Sequence, residues 1–173
     1  EYLEQMAGKF FDLLQKYHGL GERERLLLRL AAILHDCGKF ISMSAPGECA
    51  YQIIMSTEIL GISHMEREMV ACIVRYNTME LPNFREFDGK LGNDEYLIVM
   101  KLAAILRVCN ALDRSHRQKF ADMKLTIKDS NIVITTAYPD NITLEKKTLQ
   151  DKQDFFEEVY GLGFEIKQKK KKQ

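Results

Sequence analysis

Apolar residues recur at helical spacing along the first two-thirds of the chain. In the first run they lie three or four positions apart, which predicts a helix over residues 2–17. The second run, over residues 22–37, contains LLLRLAAIL and is apolar on nearly every side. Helices of this kind are normally buried, so we expect this one at the centre of the protein, with Gly38 as its C-terminal stop.

Two more helices and a long loop follow in the pattern. Residues 48–60 predict one helix. Ser63, with Glu66 three positions later, has the spacing of a capping box and predicts that another helix begins there and ends near residue 77. Residues 78–92 show no periodicity, and a loop of this length is usually functional or mobile.

The pattern changes after the next helix, which is predicted from Asn93 to about residue 112. Its predicted core face consists of Leu97, Met100, Ala104 and Val108. KLTIKDSNIVITT then alternates around a turn, which predicts a β-hairpin over residues 123–137. A charged amphipathic helix over residues 144–160 and a strand at FEIKQ complete the pattern.

These elements predict a mainly α fold with two parts. The first is a helical domain over residues 1–119, and the second is a small ββαβ extension over residues 120–173 with a Lys-rich tail. The first residue is Glu1 rather than Met, which suggests a piece of a longer protein.

Composition and charge narrow the class of protein. Hydrophobic residues make up 46% and charged residues 29%, as in ordinary globular proteins. The formal net charge is zero, so we expect no binding to nucleic acid or membrane, and a polyanion would need a local basic patch. No apolar run is long enough to span a bilayer. The four cysteines lack CxxC spacing, so we interpret them as reduced thiols in a cytoplasmic protein.

His35 and Asp36 stand side by side at the end of the second apolar run. An imidazole next to a carboxylate is a workable pair of ligands for Zn, Mn or Fe. A metal site needs further ligands from other helices, normally His or Asp. The alternative is structural: His35 packs or caps the helix, and Asp36 accepts hydrogen bonds from backbone donors beyond Gly38.

The segment AAILHDCGKF resembles the helix that names the HD superfamily of helical phosphohydrolases. Several segments in order resemble one branch of it, the C-terminal half of the exopolyphosphatase/guanosine pentaphosphate phosphohydrolase (Ppx/GppA) family. They are ERERLLLRLAAILHDCGKFIS, AYQIIMSTEILGISHMEREMVACIVRYN, MKLAAILRVCNALDRSH, LTIKDSNIVITT and DKQDFFEEVYGLGFEIK. The stretch ALDRSH after LRVCN is the most specific, and the match covers nearly the whole chain.

The resemblance implies an HD-like helical bundle and a larger parent protein. In that family an N-terminal pair of actin-like ATPase-fold domains carries phosphoanhydride hydrolysis, with Mg or another divalent ion. The family substrates are polyphosphate and guanosine pentaphosphate. No Gly-rich phosphate loop is present here, so the resemblance makes this chain the accessory half, with no tightly bound cofactor of its own.

The resemblance also implies a degenerate metal site. The later Asp of HD enzymes falls on Asn110, Glu48 stands where relatives carry a His, and Asn77 replaces the His of Arg-Tyr-His. An amide oxygen is a weaker ligand than a carboxylate for a hard cation. His18 is too close in sequence to the pair to serve as the missing upstream His. We therefore expect no catalytic residues and at most weak metal binding at His35 and Asp36.

The retained pair is expected to have a structural role. In this hypothesis Asp36 forms a partly buried ion pair with Arg107 or Arg114, which fixes the helices relative to each other.

Basic residues near the HD segment suggest a phosphate-binding groove, because Arg suits bidentate contacts with phosphate. The candidate residues are Arg75, Arg107, Arg114, His116, Arg117 and Lys119. The alternative for Arg75 and Arg107 is that they pair with acids at the edge of the core.

Asp113, Ser115 and His116 are too close in sequence to indicate a catalytic triad, so Asp113 and Ser115 are expected to cap a helix end or turn. The lysines at 167 and 169–172 are a weaker candidate for polyphosphate contact.

Three functions remain open on the sequence. The first is an accessory domain of an exopolyphosphatase-like protein, contributing phosphate-binding surface and homodimer contacts. The second is a free-standing HD-type metal-dependent phosphohydrolase. The third is a scaffold or nucleotide-sensing module without chemistry.

Overall fold

Helices account for most of the chain in the computed structural model, which describes residues 1–87 and 91–169. Within these residues the α-helices are α1 (Tyr2–Leu13), α2 (Gln15–His18), α3 (Glu22–Leu34), α4 (Pro46–Met55), α5 (His64–Thr78), α6 (Asn93–Leu112), α7 (Thr143–Gln150) and α8 (Gln153–Tyr160). A 3-10 helix spans Cys37–Phe40. The strands are β1 (Lys124–Lys128), β2 (Asn131–Thr136) and β3 (Gly163–Gln168). The predicted mainly α fold with a small sheet is confirmed, while its HD-like arrangement stays a prediction.

The central helix of the fold is α6, which contacts α1, α3, α5, α7 and α8. Its predicted core face is only partly correct. Ala104 and Val108 are fully buried, but Leu97 is 39% exposed, and the buried residues of the first turns are Tyr96 and Val99. From Leu102 onward nearly every residue of α6 is buried, because other helices cover it on several sides.

The two N-terminal helices are shorter than the pattern predicts. The helix predicted over residues 2–17 is interrupted at Leu14, which separates α1 from α2. The helix predicted over residues 22–37 ends at Leu34, three residues early, and a 3-10 helix takes over at Cys37.

Two other boundaries moved. The helix predicted over residues 48–60 begins instead at Pro46, in the first position of the helix, where proline's missing N–H costs nothing, and it ends at Met55. The single helix predicted over residues 144–160 is two helices, α7 and α8, because the chain turns at Asp151 and Lys152.

The capping box at the start of α5 is confirmed. The backbone N–H of Glu66 donates to Ser63 Oγ at 3.2 Å, and Glu66 Oε2 accepts from the backbone N–H of Ser63 at 2.7 Å. Arg23 on α3 donates to the same carboxylate at 2.8 Å. The Arg23 hydrogen bond and the Ser63 N–H lower the pKa of Glu66 to about 2, so this carboxylate holds two helices together at neutral pH.

The sheet has the order β1-β2-β3. The antiparallel hairpin pairs Ile127 with Ile132, and its turn places Asp129 and Ser130 at positive φ (49° and 59°). Two central residues at positive φ are typical of a tight hairpin turn that matches the twist of the strands. The chain returns through α7 and α8 to add β3 parallel to β2. The predicted third strand is therefore present, but two helices precede it where the ββαβ prediction has one.

One buried cluster extends from the helices into the sheet. It includes Phe10 of α1 as well as Ile132 and Ile134 of β2. The Phe10 ring meets the ring of Phe164 on β3 edge-on, at 6.4 Å between centroids. The division into domains after residue 119 stays a prediction, and the hydrophobic core is continuous across that position. In the part of the chain described, no helix has both the length and the hydropathy needed to cross a membrane.

Candidate functional site at the His35–Asp36 pair

The His35–Asp36 pair lies between α3 and the 3-10 helix. His35 is the C-cap residue of α3, and Asp36 precedes the 3-10 helix. The prediction that Gly38 stops α3 is wrong. Gly38 lies inside the 3-10 helix, against α4. A Cβ atom at Gly38 would lie 1.9 Å from the carbonyl oxygen of Pro46. Only glycine allows the two backbones to approach so closely, which fixes the pair beside α4.

The imidazole of His35 is held by the backbone. Its Nδ1 donates to the carbonyl oxygen of Ala32 at 2.8 Å, so Nε2 carries the lone pair in the neutral ring. Burial lowers the pKa of His35, and nearby Asp36, with Oδ1 at 3.4 Å from Nε2, offsets part of this shift. His35 is therefore neutral at pH 7, with Nε2 pointing toward the carboxylate side of the pair.

The ion pair expected between Asp36 and Arg107 or Arg114 is wrong. Asp36 Oδ1 instead accepts from Lys39 Nζ at 2.7 Å, and the lysine lies one helical turn away. Arg107 donates to the backbone carbonyl oxygens of Tyr76 and Met79. The role of Lys39 was missed in the sequence, although its i, i+3 spacing from Asp36 is one at which helical side chains meet.

Asp36 of the pair and the nearby sequence candidate Glu48 each contact a basic side chain. Among residues 1–87 and 91–169, no group of three or more His, Cys, Asp or Glu side chains is placed to hold a metal ion. One oxygen of Asp36 is already paired with the Lys39 ammonium. Glu48, which the resemblance aligned with a His of HD relatives, is bound to Arg75 at 2.6 Å. Asn77 is buried, and within the described ranges neither the nitrogen nor the oxygen of its side-chain amide has a hydrogen-bond partner.

His18 has a structural role. Its Nε2 lies 3.0 Å from the carbonyl oxygen of Phe11, and its Nδ1 accepts from the backbone N–H of Leu20 at 2.9 Å. Both ring nitrogens are thus engaged, and the ring packs on Phe11 with centroids 4.3 Å apart. The expectation that His18 does not replace the missing upstream ligand agrees with these contacts.

The segment over residues 113–119, which we call the basic loop, lies next to the pair. Burial raises the pKa of Asp113, while the Gln118 N–H, His116 and His35 act to lower it. His116 also acts on the pKa of His35, so the basic loop and the pair share one electrostatic environment. Asp113 Oδ1 accepts from the backbone N–H of Gln118 at 3.3 Å, which agrees with the expected turn-capping role of Asp113.

Three of the six candidate phosphate ligands are engaged elsewhere. Arg75 is bound to Glu48 and lies over the rings of Tyr51 and Tyr76, about 5.3 and 5.4 Å from their centroids. Arg107 is held by backbone carbonyls and lies 4.3 Å from the ring centroid of Phe155. The expected convergence of all six on one groove is therefore not found.

Lys119 is the third engaged residue. Its Nζ donates to Glu145 Oε2 at 3.0 Å and to the carbonyl oxygen of Asn141 at 2.9 Å. The side chains of Lys119 and Glu145 are 9% and 0% exposed. This buried ion pair joins the basic loop to α7, which makes Lys119 a structural residue rather than a surface ligand.

The remaining three candidates form an exposed cluster. Arg114, His116 and Arg117 are all exposed on the basic loop. Within the described residues, neither arginine lies within 4 Å of a carboxylate oxygen. In the tail, Lys167 pairs with Glu165 at 3.3 Å, while the lysines at 170–172 lie outside the described residues.

Comparison with known proteins agrees with the resemblance found in the sequence. A family model described as Ppx/GppA phosphatase, domain III, matches residues 1–154. A search of curated proteins found no match. The matched region contains the His35–Asp36 pair, the basic loop and the hairpin, so it covers the site as well as the helical core. The chain therefore belongs to the Ppx/GppA phosphatase family and represents domain III of that family.

Proposed function

We propose that this chain is a non-catalytic accessory domain of an exopolyphosphatase-like phosphatase. It contributes phosphate-binding surface and dimer contacts, while the phosphoanhydride chemistry, with its divalent ion, belongs to other domains of the parent protein. Membership of the Ppx/GppA family supports the phosphatase context. The arrangement of ligands supports the accessory role, because an imidazole and one carboxylate already bound to Lys39 cannot hold a reactive metal ion tightly.

The observation that carries the phosphate proposal is the exposed triplet Arg114, His116 and Arg117. These three side chains lie within a stretch of four residues, and His116 is close enough to the His35–Asp36 pair to affect the pKa of His35. Arg presents a planar fork of donors that matches phosphate oxygens. A linear polyphosphate, or the phosphate groups of guanosine pentaphosphate, can therefore be contacted at several points at once.

Titration with polyphosphate tests this proposal. The double variant Arg114→Ala/Arg117→Ala should bind polyphosphate more weakly than the wild type, and the slope of log K against log salt should fall by about one to two. The matched control is Lys16→Ala/Lys146→Ala, which removes the same charge from exposed helical positions. Equal weakening in both variants would show a general charge effect and remove the phosphate site.

Activity of the isolated chain tests the accessory role. We expect no hydrolysis of polyphosphate or nucleotide by this chain alone. Chelator-sensitive hydrolysis that disappears in Asp36→Ala would instead establish a free-standing metal phosphohydrolase.

An exposed apolar segment supports the dimer contacts. Phe40, Ile41 and Met43 are 92%, 70% and 77% exposed, and they follow the His35–Asp36 pair directly. Apolar side chains this exposed and this close in sequence are unusual on a monomer surface and typical of a contact surface. A second copy of the chain is the proposed partner.

A further inference from the structure

A second concave surface lies away from the His35–Asp36 pair. It is a cleft of about 830 Å³ between residues 78–86, α6 and residues 151–158. This volume is within the range of small-molecule sites in proteins. We call it the acidic cleft, for the side chains described below.

Aromatic and apolar side chains form part of the cleft lining. Tyr96 and Met100 come from α6, and Phe155 comes from α8. Tyr96 also fixes the wall over residues 79–87, because its hydroxyl donates to the carbonyl oxygen of Pro82 at 2.9 Å. The rings of Phe84 and Phe87 pack on Tyr96 with centroids 5.3 and 5.4 Å apart. These contacts attach one wall of the cleft to α6.

The charged side chains of the lining are mostly acidic. Two basic residues, Arg107 and Lys152, are outnumbered by carboxylates. The carboxylates are Glu80, Glu86, Asp151, Asp154 and Glu158. All five are exposed, and in the described part of the chain none lies within 4 Å of a basic nitrogen. Elsewhere ion pairs are common, for instance Arg25 with Asp12 and Arg75 with Glu48.

The cleft already accommodates one cation against an aromatic ring. The guanidinium of Arg107 lies 4.3 Å from the ring centroid of Phe155. It donates to backbone carbonyls rather than to the carboxylates, which leaves the acidic groups available. Aromatic faces and carboxylates together favour ammonium groups, and an apolar lining favours the methylene chain between them.

We infer that the acidic cleft binds a linear oligoamine, an aliphatic chain with two or more ammonium groups. The carboxylates on its two sides bind the ammonium groups, and the apolar side chains contact the methylenes. The inference is independent of the phosphate proposal, since the acidic cleft repels phosphate and the basic loop is not part of its lining.

Calorimetric titration of the chain with spermidine at low salt tests the inference. The comparison ligand is hexaamminecobalt(III), which carries the same charge of three without an aliphatic chain. We expect spermidine to bind about three- to tenfold more tightly than hexaamminecobalt(III), because exposed charge pairs and partial apolar burial contribute modestly. Equal affinity for the two cations, or no binding of spermidine at millimolar concentration, would overturn the inference.

Paired variants locate the binding. Glu86→Gln/Glu158→Gln removes one carboxylate from each side of the cleft and should weaken spermidine binding by about three- to tenfold. Glu58→Gln/Asp122→Asn makes the same change in net charge at exposed positions outside the cleft, which form no ion pair with the residues that the structure describes. This variant should leave the affinity within about twofold. Equal loss in both variants would show a diffuse effect of charge and contradict a site at this cleft. Polyphosphate binding should not weaken in either variant.

Discussion

Replacing Lys119 by methionine should destabilise the fold strongly. The methionine keeps the apolar part of the side chain but removes the ammonium that faces Glu145 and Asn141. Glu145 is then left at 0% exposure with no cation beside it. Among the described residues, its other oxygen, Oε1, has no hydrogen-bond partner. Ser115 is close enough to lower the pKa of Glu145, but its hydroxyl is also without a partner there.

The loss of stability is limited by protonation of the Glu145 carboxylate. A buried carboxylate without a partner can be protonated, and at pH 7 protonation from the ordinary pKa of 4.5 costs about 3.4 kcal/mol. The lost hydrogen bond to Asn141 adds about 1 kcal/mol. We therefore expect Lys119→Met to lower the free energy of unfolding by about 4 kcal/mol at pH 7, in the range for breaking a buried ion pair.

The cost of Lys119→Met should decrease as the pH falls. In the wild type, burial raises the pKa of Glu145, but Ser115 and Lys119 outweigh it, and the net shift is downward. Glu145 is then ionised in both folded and unfolded states above about pH 5, and contributes no slope there. In the variant, burial without the ammonium raises the pKa, so the folded state binds a proton that the unfolded state releases. The cost of the substitution should shrink by about 2.5 kcal/mol between pH 7 and pH 5.

Urea unfolding followed by circular dichroism at both pH values measures this cost. Lys146→Met, at an exposed position on the same helix, is the control and should change stability by about 0.5 kcal/mol or less. The double variant Lys119→Met/Glu145→Leu removes both charges and should be more stable than Lys119→Met alone. A cost below about 1 kcal/mol, or a cost independent of pH, would refute the assignment of Lys119 and Glu145 as a coupled buried pair.

Two further predictions concern the His35–Asp36 pair and its surroundings. Burial lowers the pKa of His35, so below pH 6.5 the unfolded state takes up a proton more readily than the folded state. The free energy of unfolding should therefore fall as the pH drops below 6.5, and it should fall less in His35→Phe. Titration of the imidazole by NMR should give a pKa below 6.5, and a higher value would contradict the burial argument. Phe40→Ser/Met43→Ser should lower the dimer fraction in sedimentation equilibrium. The control Leu60→Ser, at a 94% exposed position outside the apolar segment, should leave the dimer fraction unchanged. A monomeric wild type would contradict the dimer proposal.

The fold could be predicted from the sequence wherever the signal is local. The Ser63 capping box, the hairpin around Asp129 and Ser130, and the third strand all depend on residues a few positions apart, and all were found where predicted. The break between α7 and α8 could not be read in this way. Residues 144–160 keep an amphipathic pattern through the turn at Asp151 and Lys152, because both helices bury residues against the same core.

The candidate site was less predictable, since the sequence shows which charges are present but not which partner each one meets. Arg75 is separated by 27 residues from Glu48, and Lys119 by 26 residues from Glu145. Nothing in the neighbourhood of either basic residue indicates those carboxylates. Lys39 is the opposite case, because its partner Asp36 is only three residues away and the spacing alone suggests contact.

The buried Lys119–Glu145 pair and the exposed arginines lie on the same loop, whose two ends are fixed by hydrogen bonds. His116 and Gln118 both have positive φ, 53° and 51°, a conformation that non-glycine residues keep only where their surroundings enforce it. Asp113 fixes one end of the basic loop through Gln118, and Lys119 fixes the other through Glu145 and through its carbonyl oxygen, which accepts from Thr136 Oγ1 at 3.0 Å. Substituting Lys119 removes the contact with Glu145 but leaves the backbone hydrogen bond from Thr136. The basic loop then loses one anchor, which would shift Arg114 and Arg117 without removing a phosphate contact. Weaker polyphosphate binding in a Lys119 variant would thus reflect a displaced loop, and only substitution of the exposed arginines themselves reports direct contact.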